Sequence, residues 1–190
     1  MGKPALTRTA RFTAAVAALA ILSTLLAMSG CAAPSHEGFA IYFPAEDPKA
    51  SEVKSVSDLH PAGDSLVALK DIVSYNGDTH RIELTPEAFA RLDDAVGAAK
   101  VPTWGKVFVV CVDRKPVYWG AFWPMYSSAS FDGITIQTPL GINLVSPGET
   151  IVPNSIQIGV GYPSSGFYQG EDPRSDPAIV KSLRDAGKLK

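Results

Sequence analysis

Apolar and polar positions alternate along this chain with two different periods. From Thr79 to Leu84, His80, Ile82 and Leu84 share one face while Thr79, Arg81 and Glu83 share the other, the period-two signature of a half-buried antiparallel strand. Leu66 to Tyr75 precedes it across Asn76-Gly77, a pair that tolerates the positive φ of a type I′ turn, so the two segments are expected to form a hairpin. Thr85-Pro86-Glu87 then supplies an N-cap, a proline at the first helical position and an acid in the first turn. Phe89, Leu92 and Val96 recur at helical spacing and Gly97 is positioned to stop the helix, which should lay one stripe on the sheet.

Lys106 to Val112 is almost wholly apolar and β-branched, as expected of a central strand covered on both faces. Asp113-Arg114-Lys115-Pro116 turns the chain back into Val117 to Trp123, where Tyr118, Gly120 and Phe122 point one way and Trp119, Ala121 and Trp123 the other. Phe39 to Phe43, Gly133 to Thr138 and Ser155 to Tyr162 read as further strands. Pro44 to Ser65 reads as a long loop with at most one short helix around Ser51 to Leu59. Asp176-Pro177 caps a closing helix carrying Ile179, Val180 and Leu183, with Gly187 as its stop. This order predicts one α+β domain over residues 39–190: a mainly antiparallel sheet of about five to seven strands, a helix packed on one face and a C-terminal helix.

The first thirty residues follow a different pattern. Lys3, Arg8 and Arg11, with no acid among them, lead into the uncharged run Phe12 to Met28, the positive and apolar regions of an export signal. Its strongly apolar part, Ala14 to Leu26, is shorter than the ~20 residues a bilayer span requires. The run closes on Leu26-Ala27-Met28-Ser29-Gly30-Cys31, which resembles the lipobox of bacterial lipoproteins, with Met28 where Leu is usual. That resemblance implies removal of residues 1–30, diacylation of Cys31 and acylation of its new amino terminus, with residues 31–38 as a lipidated tether. Two or three acyl chains hold a protein at a membrane where one is marginal. The domain would then face the extracytoplasmic side of a bacterial envelope. Ala32 is not the Asp that marks inner-membrane retention in some two-membrane bacteria, which leaves both membranes open.

Losing three of the 17 basic residues and none of the 19 acidic ones with that leader leaves a formal charge of −5, which argues against nucleic acid as a partner. With Cys31 acylated, Cys111 is the one thiol left, so no intramolecular disulfide can form and the core alone must stabilise the fold. Cys111 lies inside Val107-Phe108-Val109-Val110-Cys111-Val112 with no acid or histidine beside it, and reads as a small buried hydrophobe.

Two further resemblances concern the middle of the chain. Phe89, Gly105-Lys106-Val107, Val110, Val112-Asp113, Val117-Tyr118 and Gly133-Ile134 are similar to a stretch of the periplasmic head of the SecD translocase subunit, over residues 84–136. This implies local topology: a helix, a strand, a tight turn around an Asp, and a returning strand. The membrane spans of SecD are absent, so its activity does not carry over. The segment from Tyr118 to Gly133, with Gly161-Tyr162-Pro163, Asp172-Pro173-Arg174 and the ending Ala186-Gly187-Lys188-Leu189, resembles short uncharacterised bacterial envelope proteins, which bring no functional residues with them.

Six of the sixteen residues from Tyr118 to Gly133 are aromatic. They read either as core or as a ligand groove. In the groove reading Tyr118, Trp119, Trp123, Tyr126 and Phe131 supply rings, Gly120 and Ala121 leave room between them, and Ser127, Ser128, Ser130 and Asp132 supply a polar rim. Sugar-like or peptidic ligands suit such a surface. A hydrolase would need Ser127, Ser128 or Ser130 with His80 and Asp113 or Asp132, but no Gly-x-Ser-x-Gly elbow is present. His36, His60 and His80 are not paired at metal-ligand spacing, Asp93-Asp94 face different directions on a helix, and the acids Glu171, Asp172 and Asp176 lack EF-hand spacing. Gly159-Val160-Gly161 lacks the third glycine of a dinucleotide loop. The expectation is a membrane-anchored ligand- or protein-binding module with no catalytic residue, metal or cofactor. An envelope hydrolase or an accessory subunit of a membrane complex is the alternative.

Overall fold

The computed structural model describes residues 36–97, 99–141 and 152–190, together with Gly2. Cys31, the leader apart from Gly2 and the first part of the tether lie outside the described residues. The strands are β1 (Phe39–Pro44), β2 (Pro61–Ala68), β3 (Ile72–Asn76), β4 (Arg81–Leu84), β5 (Lys106–Val112), β6 (Lys115–Pro124), β7 (Phe131–Thr138) and β8 (Ser155–Tyr162). Among the described residues two α-helices join them, α1 (Pro86–Val96) and α2 (Pro177–Asp185). The fold is α+β, with one mixed sheet in the order β2-β1-β5-β6-β7-β8-β4-β3. Neighbours pair antiparallel except β6 and β7, which are parallel.

The eight strands exceed the expected five to seven because Leu66–Tyr75 is two strands, not one hairpin arm. A single 3-10 turn at Leu69–Asp71 divides them. The Asp71 carboxylate accepts the Ala68 N–H at 2.9 Å and the Arg91 guanidinium of α1 at 2.8 Å, while the Asp71 carbonyl accepts the Thr85 N–H at 2.9 Å. The corner sends β2 to pair with β1 and β3 to pair with β4, at opposite ends of the strand order. Eight flat strands would hold the outer two about 34 Å apart. Three linking residues can bridge no more than about 15 Å. The sheet therefore curls until its two edges meet at Asp71.

The principal core is lined by Phe39, Ile41, Phe108, Phe122, Ile136 and Ile158 from the sheet. Both helices contribute their apolar stripes to it, Ala88, Leu92 and Val96 from α1 and Ile179 and Leu183 from α2. The predicted caps are in place: Thr85 Oγ1 accepts the Ala88 N–H at 3.2 Å, and Asp176 Oδ1 accepts the Ala178 N–H at 2.8 Å. On the other face of the sheet, Tyr42, Val107, Val109, Cys111 and Ala121 pack against Ala50 and Leu59, with Val53 and Val56 partly buried beside them. The expected long loop is thus a cover for this face. It ends early, where β2 begins at Pro61, and holds two 3-10 turns, Ala50–Glu52 and Val56–Asp58.

Turn chemistry is distributed differently from the sequence expectation. Between β3 and β4 the loop has four residues: Asn76 Oδ1 accepts the N–H groups of Asp78 at 3.0 Å and Thr79 at 2.8 Å, and His80, not Gly77, takes the positive φ of 55°. The two-residue turn with positive φ at both positions joins β5 to β6 at Asp113 (51°) and Arg114 (61°). Tertiary contacts favour it there, since Asp113 exchanges hydrogen bonds with Gly38: its N–H donates to the Gly38 carbonyl at 3.0 Å and its carboxylate accepts the Gly38 N–H at 2.8 Å. Among the described residues no helix is long and apolar enough to cross a membrane.

Candidate functional site

β6 distributes its side chains as its alternation predicts. Tyr118 and Phe122 enter the principal core, whereas Ala121 and Trp123, with the partly buried Trp119, belong to the opposite face. On that face Phe131, the first residue of β7, stacks on Trp123 with ring centroids 4.7 Å apart and planes 7° from parallel. Trp119 meets Phe131 at 6.0 Å, and Tyr162 meets Trp123 at 6.2 Å.

Two glycines make this ring cluster possible. A Cβ on Gly105, whose φ is +80°, would lie 2.6 Å from the Trp123 ring, and a Cβ on Gly133 would lie 2.4 Å from the Phe131 ring. Gly120 has a different role from the expected one. It faces the principal core, where a Cβ would meet the Ile134 carbonyl at 2.5 Å and the Phe108 ring at 2.6 Å, so it closes the β6–β7 contact and leaves no room in a groove.

Residues 125–130 alone connect β6 to its parallel neighbour β7, where parallel pairs ordinarily need about a dozen residues or more. The short link is pinned at several points. The Met125 N–H donates to the Thr138 carbonyl at 2.9 Å, the Tyr162 hydroxyl donates to the Met125 carbonyl at 2.7 Å, and the Ser127 hydroxyl donates to the Thr103 carbonyl at 2.7 Å.

Above the rings runs an open groove of about 830 Å³, within the usual range of ligand clefts. Of the residues expected to form a binding surface, Tyr118, Trp119, Trp123, Phe131 and Asp132 line it, together with Ser130. Tyr126, Ser127 and Ser128 do not. Tyr126 is 58 % exposed outside the lining, and Ser127 is buried, holding the crossover as described. Tyr118 contributes from the core side. Burial raises its pKa well above the ordinary tyrosine value, and its hydroxyl has no hydrogen-bond partner among the described residues.

Sequence reasoning missed the opposite wall and one end of the groove. Ser51, Lys54 and Ser55 come from the covering segment, Tyr168 and Gln169 from the loop after β8, and Trp104 from the turn before β5. Trp104 did carry a legible signal. A lone indole between Pro102 and Gly105 in a turn has no core to enter, and it is 55 % exposed.

The residues considered for serine chemistry are engaged elsewhere. His80 Nδ1 shares a hydrogen bond of 2.9 Å with the Tyr75 hydroxyl, and burial lowers its pKa, with the Arg174 charge adding to the effect. Asp113 binds Gly38 and His36. No hydrogen bond joins His80 to Ser127, Ser128 or Ser130 among the described residues. The Cys111 thiol is fully buried, and burial pushes its pKa up to about 12.

In the acidic loop, Arg174 grips both oxygens of Asp172 at 2.9 and 2.6 Å and also donates to the Ile158 carbonyl at 2.6 Å. Its guanidinium holds the Asp172 carboxyl down at about 2. Among the described residues no group of three or more His, Cys, Asp or Glu side chains could hold a metal ion. The arrangement offers ring faces and scattered hydroxyls in a shaped channel. Comparison with known protein families, curated proteins and solved structures finds no match to this chain.

Proposed function

We propose that this protein is a lipid-anchored bacterial envelope protein whose domain binds a ligand or partner segment in the Trp119–Trp123–Phe131 groove. The observation that carries the binding role is the groove itself: partly exposed Trp119 and exposed Trp104 stand over a buried Trp123–Phe131 stack, with hydroxyl and amide side chains along the walls. The anchor rests on Leu26-Ala27-Met28-Ser29-Gly30-Cys31 and the basic, then apolar, leader before it.

The start of the domain supports a close tether. His36 and Gly38 bind Asp113 in the β5–β6 turn, and Glu37 accepts the Tyr42 hydroxyl and lies 3.9 Å from Arg114. Four residues, 32–35, then separate Cys31 from His36, a reach of at most about 18 Å.

Mass analysis of the native amino-terminal peptide tests the anchor. It should begin at acylated Cys31, and C31S should leave the detergent phase; an unmodified Cys31 would remove the anchor from the account. For the groove, envelope extract should protect Trp104 and Trp119 from oxidative footprinting. Unchanged oxidation of both indoles would mean that nothing in the envelope occupies it.

A further inference from the structure

We infer that the groove takes a neutral, unbranched oligosaccharide, with its pyranose rings laid along β6. This inference rests on the groove being a binding site and adds the class of ligand. Its first support is shape. The lining takes Val117, Tyr118, Trp119 and Trp123 from β6, positions whose ends lie about 20 Å apart at the rise of a strand, and it includes Trp104. A channel of that length suits a chain of rings more than a single small molecule.

The second support is the kind of surface. From Gly120 to Phe122, β6 is paired on one side with β5 and on the other with β7, whereas Tyr118 and Trp119, which line the groove, are paired with β5 alone. An extended peptide gains its affinity mainly from main-chain hydrogen bonds at a free strand edge, and this groove offers a short one, over Val117 to Trp119, beside a floor made chiefly of side chains. Flat indole faces match the apolar C–H face of a pyranose. Trp104 and Trp119 are the accessible platforms, and the buried stack below keeps the floor rigid. The Trp123 indole N–H, in a residue only 4 % exposed, has no hydrogen-bond partner among the described residues.

The third support is charge. Lys54 and Asp132, of opposite sign, are the charged side chains of the lining, so no net field favours an anionic or a cationic polymer. Ser55, Ser130 and Gln169 supply donors and acceptors suited to sugar hydroxyls.

The test uses the native full-length product in a detergent without a sugar headgroup. Soluble chito- and cello-oligosaccharides, anionic polygalacturonate and a proline-rich peptide are titrated, read by tryptophan fluorescence and calorimetry. The neutral oligosaccharides should bind saturably and more tightly as they lengthen. W104A and W119A should each weaken them about tenfold. Y126A, an exposed ring outside the lining, should match wild type, and W104A should keep the wild-type melting temperature. Absence of saturable binding by the neutral oligosaccharides, or affinity unaffected by W104A, overturns the inference, as does binding of the peptide or polygalacturonate in their place. If extract still protects Trp104 and Trp119 in that event, the sugar fails and the groove stands; if protection is also missing, both fail.

Discussion

His80 holds a left-handed backbone conformation, with φ 55°, at the end of the β3–β4 loop, a position where histidine is tolerated better than most side chains. Its ring is buried and bonded to Tyr75, which desolvates the imidazole and lowers its pKa. The nearby Arg174 charge acts in the same direction, and Asp172 and Asp78 oppose it. Because the folded pKa lies below the ordinary value of 6.5, the unfolded chain binds the proton first as the medium is acidified. Stability is therefore full above pH 6.5 and falls as pH drops below it, with the loss complete once the folded imidazole also titrates. Melting curves between pH 7.5 and pH 5, roughly one unit above and one and a half below the unperturbed value, should show this decline. H80N, which keeps a residue suited to positive φ, should flatten it; an equally steep profile in H80N would assign the effect to other groups. The sequence pattern put His80, Ile82 and Leu84 on one buried face, and all three are buried. It could not reveal the turn conformation, because Asn76-Gly77 has the chemistry of a tighter loop than the one formed.

At the scale of elements, the corner at Asp71 decides the sheet. Its carboxylate is the acceptor for Ala68 and for Arg91, so one buried side chain turns the strand and fastens α1 to the turn. D71A leaves a buried N–H and one end of an ion pair unmatched and should cost roughly 2 kcal/mol. D71N, which can still accept from Ala68, should cost less. Urea denaturation measures both, and a D71A variant within about 0.5 kcal/mol of wild type, the scatter of ordinary surface substitutions, would remove the corner from this role. Both helices were legible from their caps and stripes, since Thr85-Pro86 and Asp176-Pro177 act on N–H groups within a turn of themselves. The division of Leu66–Tyr75 was not legible, because Arg91 lies twenty positions beyond Asp71. The parallel pairing of β6 and β7 was equally hidden, since a six-residue link reads as an antiparallel connection.

For the whole molecule, curling brings the two sheet edges together at Asp71 but leaves the outer side of β3 to be covered. Residues 188–190 cover it. The Tyr75 N–H donates to the Lys188 carbonyl at 2.7 Å, the Lys190 N–H donates to the Tyr75 carbonyl at 2.8 Å, and the Gly77 N–H donates to the Lys190 carbonyl at 3.3 Å. Leu189 adds a partly buried apolar contact with the core. Deleting these three residues should lower stability by about 2 kcal/mol and free a strand edge able to pair with a second molecule. Chemical denaturation and sedimentation velocity read the two effects. A truncated protein that is as stable and as monomeric as the full chain would show that this strip contributes nothing.

What the sequence by itself determined is what acts over a few residues: strand and helix periods, caps, the inward and outward sides of β6, and the composition of the leader. Those features depend on sterics and hydrogen bonding between near neighbours, so they can be read wherever they occur. Tertiary structure decided the rest. The Asp71 corner, the β6–β7 pairing and the groove depend on contacts between positions distant in the chain. Trp104, Ser55, Trp119 and Tyr168 come from four separate segments and meet only once the sheet is folded. No local pattern records that meeting, because the energy that enforces it belongs to packing between elements.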